Sequence, residues 1–140
     1  MDYIGIDIGS TAAKVVVRGA HPQQFILPTG WSSRETADNI RERLTTGGVC
    51  LSPDHSRTVA TGYGRGNVPF ADKMVTEITC HARAGAAHGS PDCTIIDVGG
   101  QDTKVIRIEG GMVSDFLMND KCAAGTGKFL EIMANRLCVG

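Results

Sequence analysis

Ile6-Asp7-Ile8-Gly9-Ser10-Thr11-Ala12-Ala13-Lys14-Val15-Val16 returns, ninety positions on, as Ile96-Asp97-Val98-Gly99-Gly100-Gln101-Asp102-Thr103-Lys104-Val105-Ile106. Ile, Asp, Gly, Lys and Val recur at identical offsets. Each copy reads as a short apolar strand ending on an aspartate, a glycine turn, and a second Val/Ile-rich strand. Such a turn exposes backbone N–H groups, and glycine lets the chain bend closely around an anion. The aspartate beside it can hold magnesium, directly or through water. A single loop of this kind is an ordinary hairpin with an exposed aspartate in its turn. Two in one register predict a duplicated fold that clamps one phosphate tail from both sides.

The doubled loop resembles the actin, sugar-kinase and heat-shock ATPase superfamily, whose two like domains each offer a hairpin to ATP. That resemblance implies an α/β, ribonuclease H-like actin-type ATPase domain. It places Asp7 and Asp97 on Mg2+. It sets Gly9, Ser10 and Thr11 of the first copy, and Gly99, Gly100, Gln101 and Asp102 of the second, around the nucleotide. Lys14 and Lys104 either contact phosphate or are solvated strand residues. Gln101 or Asp102 would orient the attacking water, as a polar side chain must in phosphoryl transfer. Asp102 competes with a plain turn role, which tilts the choice toward Gln101. A P-loop kinase fails on spacing: the only Gly-Lys, Gly127-Lys128, is followed by Phe129.

Composition bounds the rest. The chain has 140 residues, enough for one ordinary domain or two small ones. Hydrophobic residues make up 41% but aromatics only 5%, so the core is mainly aliphatic and alanine. Fourteen basic and 15 acidic residues leave a net charge of −1, with no electrostatic footprint for nucleic acid. No apolar stretch approaches bilayer-spanning length. Met1-Asp2 leads directly into the first strand without a basic n-region, so no secretory leader and a soluble cytoplasmic protein are expected. Five cysteines (Cys50, Cys80, Cys93, Cys122 and Cys138) form no C-x-x-C pair, which argues against a disulfide framework or a zinc finger. Cys80 and Cys93 read as small buried hydrophobes.

Along the chain, strands are expected at 2–8, 12–19 and 23–28, then a helix over 34–46 capped by Ser32 or Ser33 and closed by Gly47-Gly48. Residues 49–56 read as a loop and 58–61 as a short strand entering Gly62-Tyr63-Gly64-Arg65-Gly66, a simple turn or a partner-facing loop. An alanine-rich helix over about 71–88 follows, with Glu77 and His81 spaced as an intrahelical pair. Strands at 93–98, 103–109 and 112–118 repeat the opening meander, and a helix over 124–138 ends the chain. This gives a first subdomain over 1–91 and an incomplete second over 92–140. By internal symmetry one more strand and helix are missing, so the chain reads as truncated.

Asn119-Asp120-Lys121-Cys122-Ala123-Ala124-Gly125-Thr126-Gly127-Lys128-Phe129 sets a cysteine at an expected helix N-terminus beside a lysine, where dipole and charge favour thiolate. Little side-chain bulk surrounds it. An iron–sulfur ligand fits this better than a covalent nucleophile, since no positioned base is apparent. A further phosphate nest, with Cys122 a bystander, fits equally well. With Asp97–Lys104 and Ala60–Arg65, the loop from Met118 to Gly127 closely resembles the 2-hydroxyacyl-CoA dehydratase activators, grouped with the ATPase subunits of benzoyl-CoA reductase.

That resemblance covers nearly the whole chain. It implies a homodimer sharing one [4Fe-4S] cluster, with two cysteines from each subunit, and Cys122 matches the first. The second falls beyond Gly140, and Cys138, some four turns along the same helix at about 1.5 Å per residue, is a poor substitute. The cluster is therefore expected to be absent or unstable in 140 residues. The function implied is an ATPase that passes a low-potential electron, taken from reduced ferredoxin or flavodoxin, to a CoA-ester dehydratase or reductase. A small-molecule kinase of the same superfamily would need an acceptor pocket and leaves Cys122 unexplained. A non-catalytic nucleotide-sensing or partner-binding fragment is the other rival.

Overall fold

Alternation of buried and outward positions builds the first sheet. In the computed structural model, which describes residues 1–119, strand β1 (Asp2–Ile8) buries Asp2, Ile4, Ile6 and Ile8. Its other face carries Tyr3, Gly5 and Asp7. β2 (Ala12–Arg18) runs back antiparallel and buries Ala13, Val15 and Val17; β3 (Gln23–Pro28) adds Phe25. β4 (Ser56–Thr61) pairs parallel with β1 on its other side. A parallel neighbour needs a crossover, and helix α1 (Ser33–Thr46) supplies it. Ser32 caps α1, its Oγ accepting the Glu35 N–H at 3.4 Å. Thr36, Ile40 and Leu44 recur every four residues, so one stripe of the helix is buried. Ala37, Ile40 and Leu44 form a core with Ile4, Ile6, Ile8, Val15 and Phe25.

The expected helix over 71–88 starts late. Asp72 N–H donates to Thr58 O at 2.9 Å, Val75 N–H donates to Ala60 O at 2.9 Å, and the Asp72 carboxylate accepts the Thr58 N–H at 2.6 Å. These bonds hold a two-residue strand β5 (Lys73–Met74) against β4, completing the order β3-β2-β1-β4-β5. Backbone groups committed to a sheet edge cannot join a helical ladder, and α2 (Glu77–His88) begins only after them.

The second sheet is the antiparallel meander β6 (Cys93–Val98), β7 (Thr103–Glu109) and β8 (Met112–Asn119). Ile78 and Ala82 of α2 pack with Ile95, Ile106, Ile108 and Val113. The chain resolves into two compact units, Met1–Glu77 and Ile78–Gly140, whereas the sequence reading divides it at 91/92. The packing of α2 on β6 and β7 accounts for the difference. The two meanders share one register, Asp7 opposite Lys14 and Asp97 opposite Lys104. They differ in their covering helix. Asp7 and Lys14 lie on the face away from α1, but Asp97 and Lys104 share the α2-covered face with Ile95, Ile106 and Ile108. The expected helix over 124–138 and the loop of Cys122 lie outside the described residues. No helix among the described residues is long and apolar enough to cross a membrane.

Buried Asp2 anchors the start of β1. Its carboxylate meets His21 Nδ1 at 2.8 Å and accepts the His21 backbone N–H at 2.9 Å. The side-chain bond first, then the backbone one, holds the carboxyl below its ordinary value, against the opposing effect of burial. The native state thus binds this proton less tightly than the unfolded chain does. The stabilisation is complete above the unfolded carboxylate value and is lost as pH falls through the lower native one. Asp2→Asn should therefore lower the urea midpoint near neutrality, with the deficit shrinking well below pH 3.8. A deficit constant across the pH series would contradict this.

Candidate functional site

In the first hairpin a backbone bond from Gly9 N–H to Ala12 O, 3.1 Å, closes the turn between β1 and β2. This fixes the register that sets Asp7 across from Lys14, and Lys14 Nζ lies 3.0 Å from Asp7 Oδ2. Both side chains remain partly open to solvent, 36% for Asp7 and 48% for Lys14. Neither Gly9 nor Gly99 has a positive φ. Crowding favours glycine at both: a Cβ would stand 3.0 Å from Ala12 O at Gly9, and 2.9 Å from Asp102 Oδ1 at Gly99. The backbone N–H groups of Ser10 and Thr11 have no acceptor among the described residues. They are the donors such a turn can offer an anion.

Two loops brace this hairpin. Thr29, just past β3, donates its N–H to Thr11 O at 3.0 Å and its hydroxyl to Gly9 O at 2.8 Å. From the end of β4, Gly64 N–H donates to Ile8 O at 2.9 Å, and Arg65 Nη1 donates to Gly62 O at 2.9 Å. Gly62 adopts φ +89°, and a Cβ there would fall 2.4 Å from Asp7 Oδ1 and 2.5 Å from Ile8 O. The Gly62–Gly66 segment is thus a buttress for Asp7, although Tyr63 stands out in solvent.

The second hairpin repeats the turn and changes its electrostatics. Gly99 N–H donates to Asp102 O at 2.8 Å, and the N–H groups of Gly100 and Gln101 again have no acceptor among the described residues. Lys104 is not a solvated strand residue. It is 5% exposed, with its ammonium 2.9 Å from each Asp102 oxygen and 3.7 Å from Asp97 Oδ2. A buried ammonium needs such partners. Asp102 is therefore occupied within the turn, while Gln101 is exposed. A contact missed by sequence reasoning comes from α2: His81 Nε2 lies 3.2 Å from Asp97 Oδ2. Helical spacing pointed to Glu77, because it registers neighbours along a helix and not across to a strand.

Among the described residues no group of three or more His, Cys, Asp or Glu side chains could hold a metal by itself. Magnesium bound with a nucleotide needs only one or two carboxylates beside phosphate oxygens and water. Asp7 and Asp97, hard oxygen donors still partly open to solvent, suit that demand. Cys50 is exposed, Cys80 and Cys93 are half-buried, and Cys122 lies outside the described residues.

The sequence signature described as the BadF/BadG/BcrA/BcrD ATPase family matches residues 4–140. The chain is 43% identical over 139 residues to the (R)-2-hydroxyglutaryl-CoA dehydratase activating ATPase of Acidaminococcus fermentans, covering 96% of this chain and 53% of that protein. It thus spans about half the length of the curated relatives it matches. The activator of the 2-hydroxyisocaproyl-CoA dehydratase from Clostridium difficile, solved with bound ADPNP, superposes with a TM-score of 0.82 at 39% identity. That match covers 100% of this chain and 53% of the other. MreB 5 of Spiroplasma citri matches with a TM-score of 0.63 at 13% identity, over 97% of this chain and 56% of its own, which shows the fold alone. The fold is the expected α/β, actin-type one, and the chain covers part of it.

Gly62 and Gly66 give a matched test of the buttress. Gly62→Ala should cost about 1–3 kcal/mol of unfolding free energy, since it forces an alanine into a left-handed conformation against Asp7. A Cβ at Gly66 meets nothing within 4 Å. Gly66→Ala should stay within about 0.5 kcal/mol of the parent. Equal urea midpoints for the two variants would contradict the close packing.

Proposed function

This chain belongs to the BadF/BadG/BcrA/BcrD ATPase family, and we propose that it forms the phosphate-gripping part of an ATP-dependent activator of a CoA-ester dehydratase or reductase. The observation that carries the reading is the doubled hairpin, with one register and one turn bond in both copies. Relatives named as dehydratase activators, one solved with ADPNP, support it.

In this reading both hairpins grip the same nucleotide tail. The N–H groups of Ser10, Thr11, Gly100 and Gln101 take phosphate oxygens, as backbone nests do. Asp7 and Asp97 hold Mg2+ directly or through water, and the ion when bound draws charge from the phosphates. Lys14 balances charge at the first turn. Lys104 acts through Asp102, whose carboxylate it holds. Gln101, exposed on its turn, orients the attacking water. Hydrolysis would convert a nucleotide-closed form to an open one, a two-state hinge.

The finer parts of the reading follow from the resemblance of the Met118–Gly127 segment. They are a homodimer, a reduced ferredoxin or flavodoxin as donor, and a [4Fe-4S] cluster with Cys122 as a ligand. When bound, that cluster supplies the low-potential electron to the partner.

ATPase turnover of the full-length gene product tests the site. Asp97→Asn should lower turnover by well over ten-fold, about 1.4 kcal/mol or more in the barrier. Unchanged turnover would remove Asp97 from the site.

A further inference from the structure

The two hairpins differ in how they hold their aspartate. In the first, Lys14 alone reaches Asp7 among the described residues, at 3.0 Å, from a side chain 48% exposed. The position after Thr11 is Ala12, which offers the lysine no rival carboxylate. In the second, the equivalent position is Asp102, and it draws the Lys104 ammonium onto both its oxygens at 2.9 Å. Lys104 is left 3.7 Å from Asp97 Oδ2, beyond hydrogen-bond distance. His81 Nε2 stands nearer that oxygen, at 3.2 Å.

The helix makes this a better-defined hold than a lysine gives. His81 is mounted on α2, whose next residue, Ala82, is 5% exposed and packs against Ile106 and Ile108. Ile78, one turn earlier, joins the same cluster. A short ring on a packed helix has few rotors, whereas Lys14 swings on a long stem. Groups carried on packed helices hold geometry more tightly than groups on loops or flexible chains. Asp97 and its partner are also partly open, 26% and 33% exposed, so the pair lies at the border of the core, within reach of a ligand.

We infer that His81 is the positioning residue that fixes the Asp97 carboxylate for the metal–nucleotide complex. It holds Oδ2 from α2 because Asp102 has taken the lysine. The inference rests on the reading that Asp97 faces Mg2+ and nucleotide. The close approach of the His81 ring nitrogen to a ligating carboxylate oxygen, 3.2 Å, orients it, and loss of such an outer partner costs about 10–100-fold in metal affinity or activity.

The test is calorimetry of ADPNP binding to the full-length gene product, at saturating Mg2+ and in excess EDTA. His81→Ala, His81→Gln, Asp97→Asn and His81→Ala/Asp97→Asn are compared with the parent. His81→Ala should lose about ten-fold or more of the affinity gained from Mg2+, with its EDTA affinity held within about two-fold. His81→Gln, which keeps an N–H donor at similar reach, should recover most of the loss. The double variant should bind no worse than Asp97→Asn, since His81 acts through that carboxylate. A His81→Ala protein with the parent's Mg2+ gain, while Asp97→Asn loses it, overturns the role of His81 and leaves the site standing. If Asp97→Asn also keeps the gain, the site reading falls and the inference with it. A His81→Ala loss equal in Mg2+ and EDTA, or additive in the double variant, marks a purely structural tie and overturns the inference. So does a His81→Gln variant that folds with the parent's unfolding midpoint yet recovers nothing.

Discussion

Strand register is discrete, and here it ties the core to the site. Side chains alternate faces along a strand, so a slip of one residue moves a whole row to the opposite side. In β1 such a slip would expose Ile4, Ile6 and Ile8 and turn Asp7 into the core under α1. An unpaired carboxylate there would be costly. The turn bonds, Gly9 N–H to Ala12 O and Gly99 N–H to Asp102 O, lock each hairpin against that slip. Aspartate and lysine then face one another in both copies without any further adjustment. Thr29, Gly62 and Gly64 add braces to a geometry the register has already chosen.

The same register serves two electrostatic designs. On the first sheet the ion pair sits on the face away from α1, where solvent screens it and its net contribution is small. On the second it sits under α2, and the buried Lys104 needs Asp102 as well as Asp97 nearby. Replacing Ala12 by its counterpart Asp102 thus changes who holds the aspartate, while the turn itself is unchanged. The two hairpins share a register and turn bond, and side chains beside the turn set which partner the aspartate meets.

Much of this was legible in the sequence because it is local. The doubled motif, the strands of both meanders and the Ser32 cap of α1 depend on spacing within a few residues. The start of α2 did not, since Asp72 and Val75 are held by β4, which precedes them by fourteen residues or so. Nor could spacing show which sheet face each helix covers, because apolar residues occur on both faces, Val16 and Ile96 among them. The His81–Asp97 contact follows from that choice of face and stayed hidden with it. The buttress at Gly62 left one trace, a glycine-rich run after a strand, which fits an exposed turn equally well.

The proposed function turns on the turn amides of both hairpins taking nucleotide phosphates. Backbone NMR of the isotope-labelled full-length gene product, titrated with Mg2+ and ADPNP, reads it directly. The amide resonances of Ser10 and Thr11 should shift together with those of Gly100 and Gln101, and both sets should saturate along one binding curve. Shifts confined to one hairpin, or two sets saturating at different concentrations, would contradict the account.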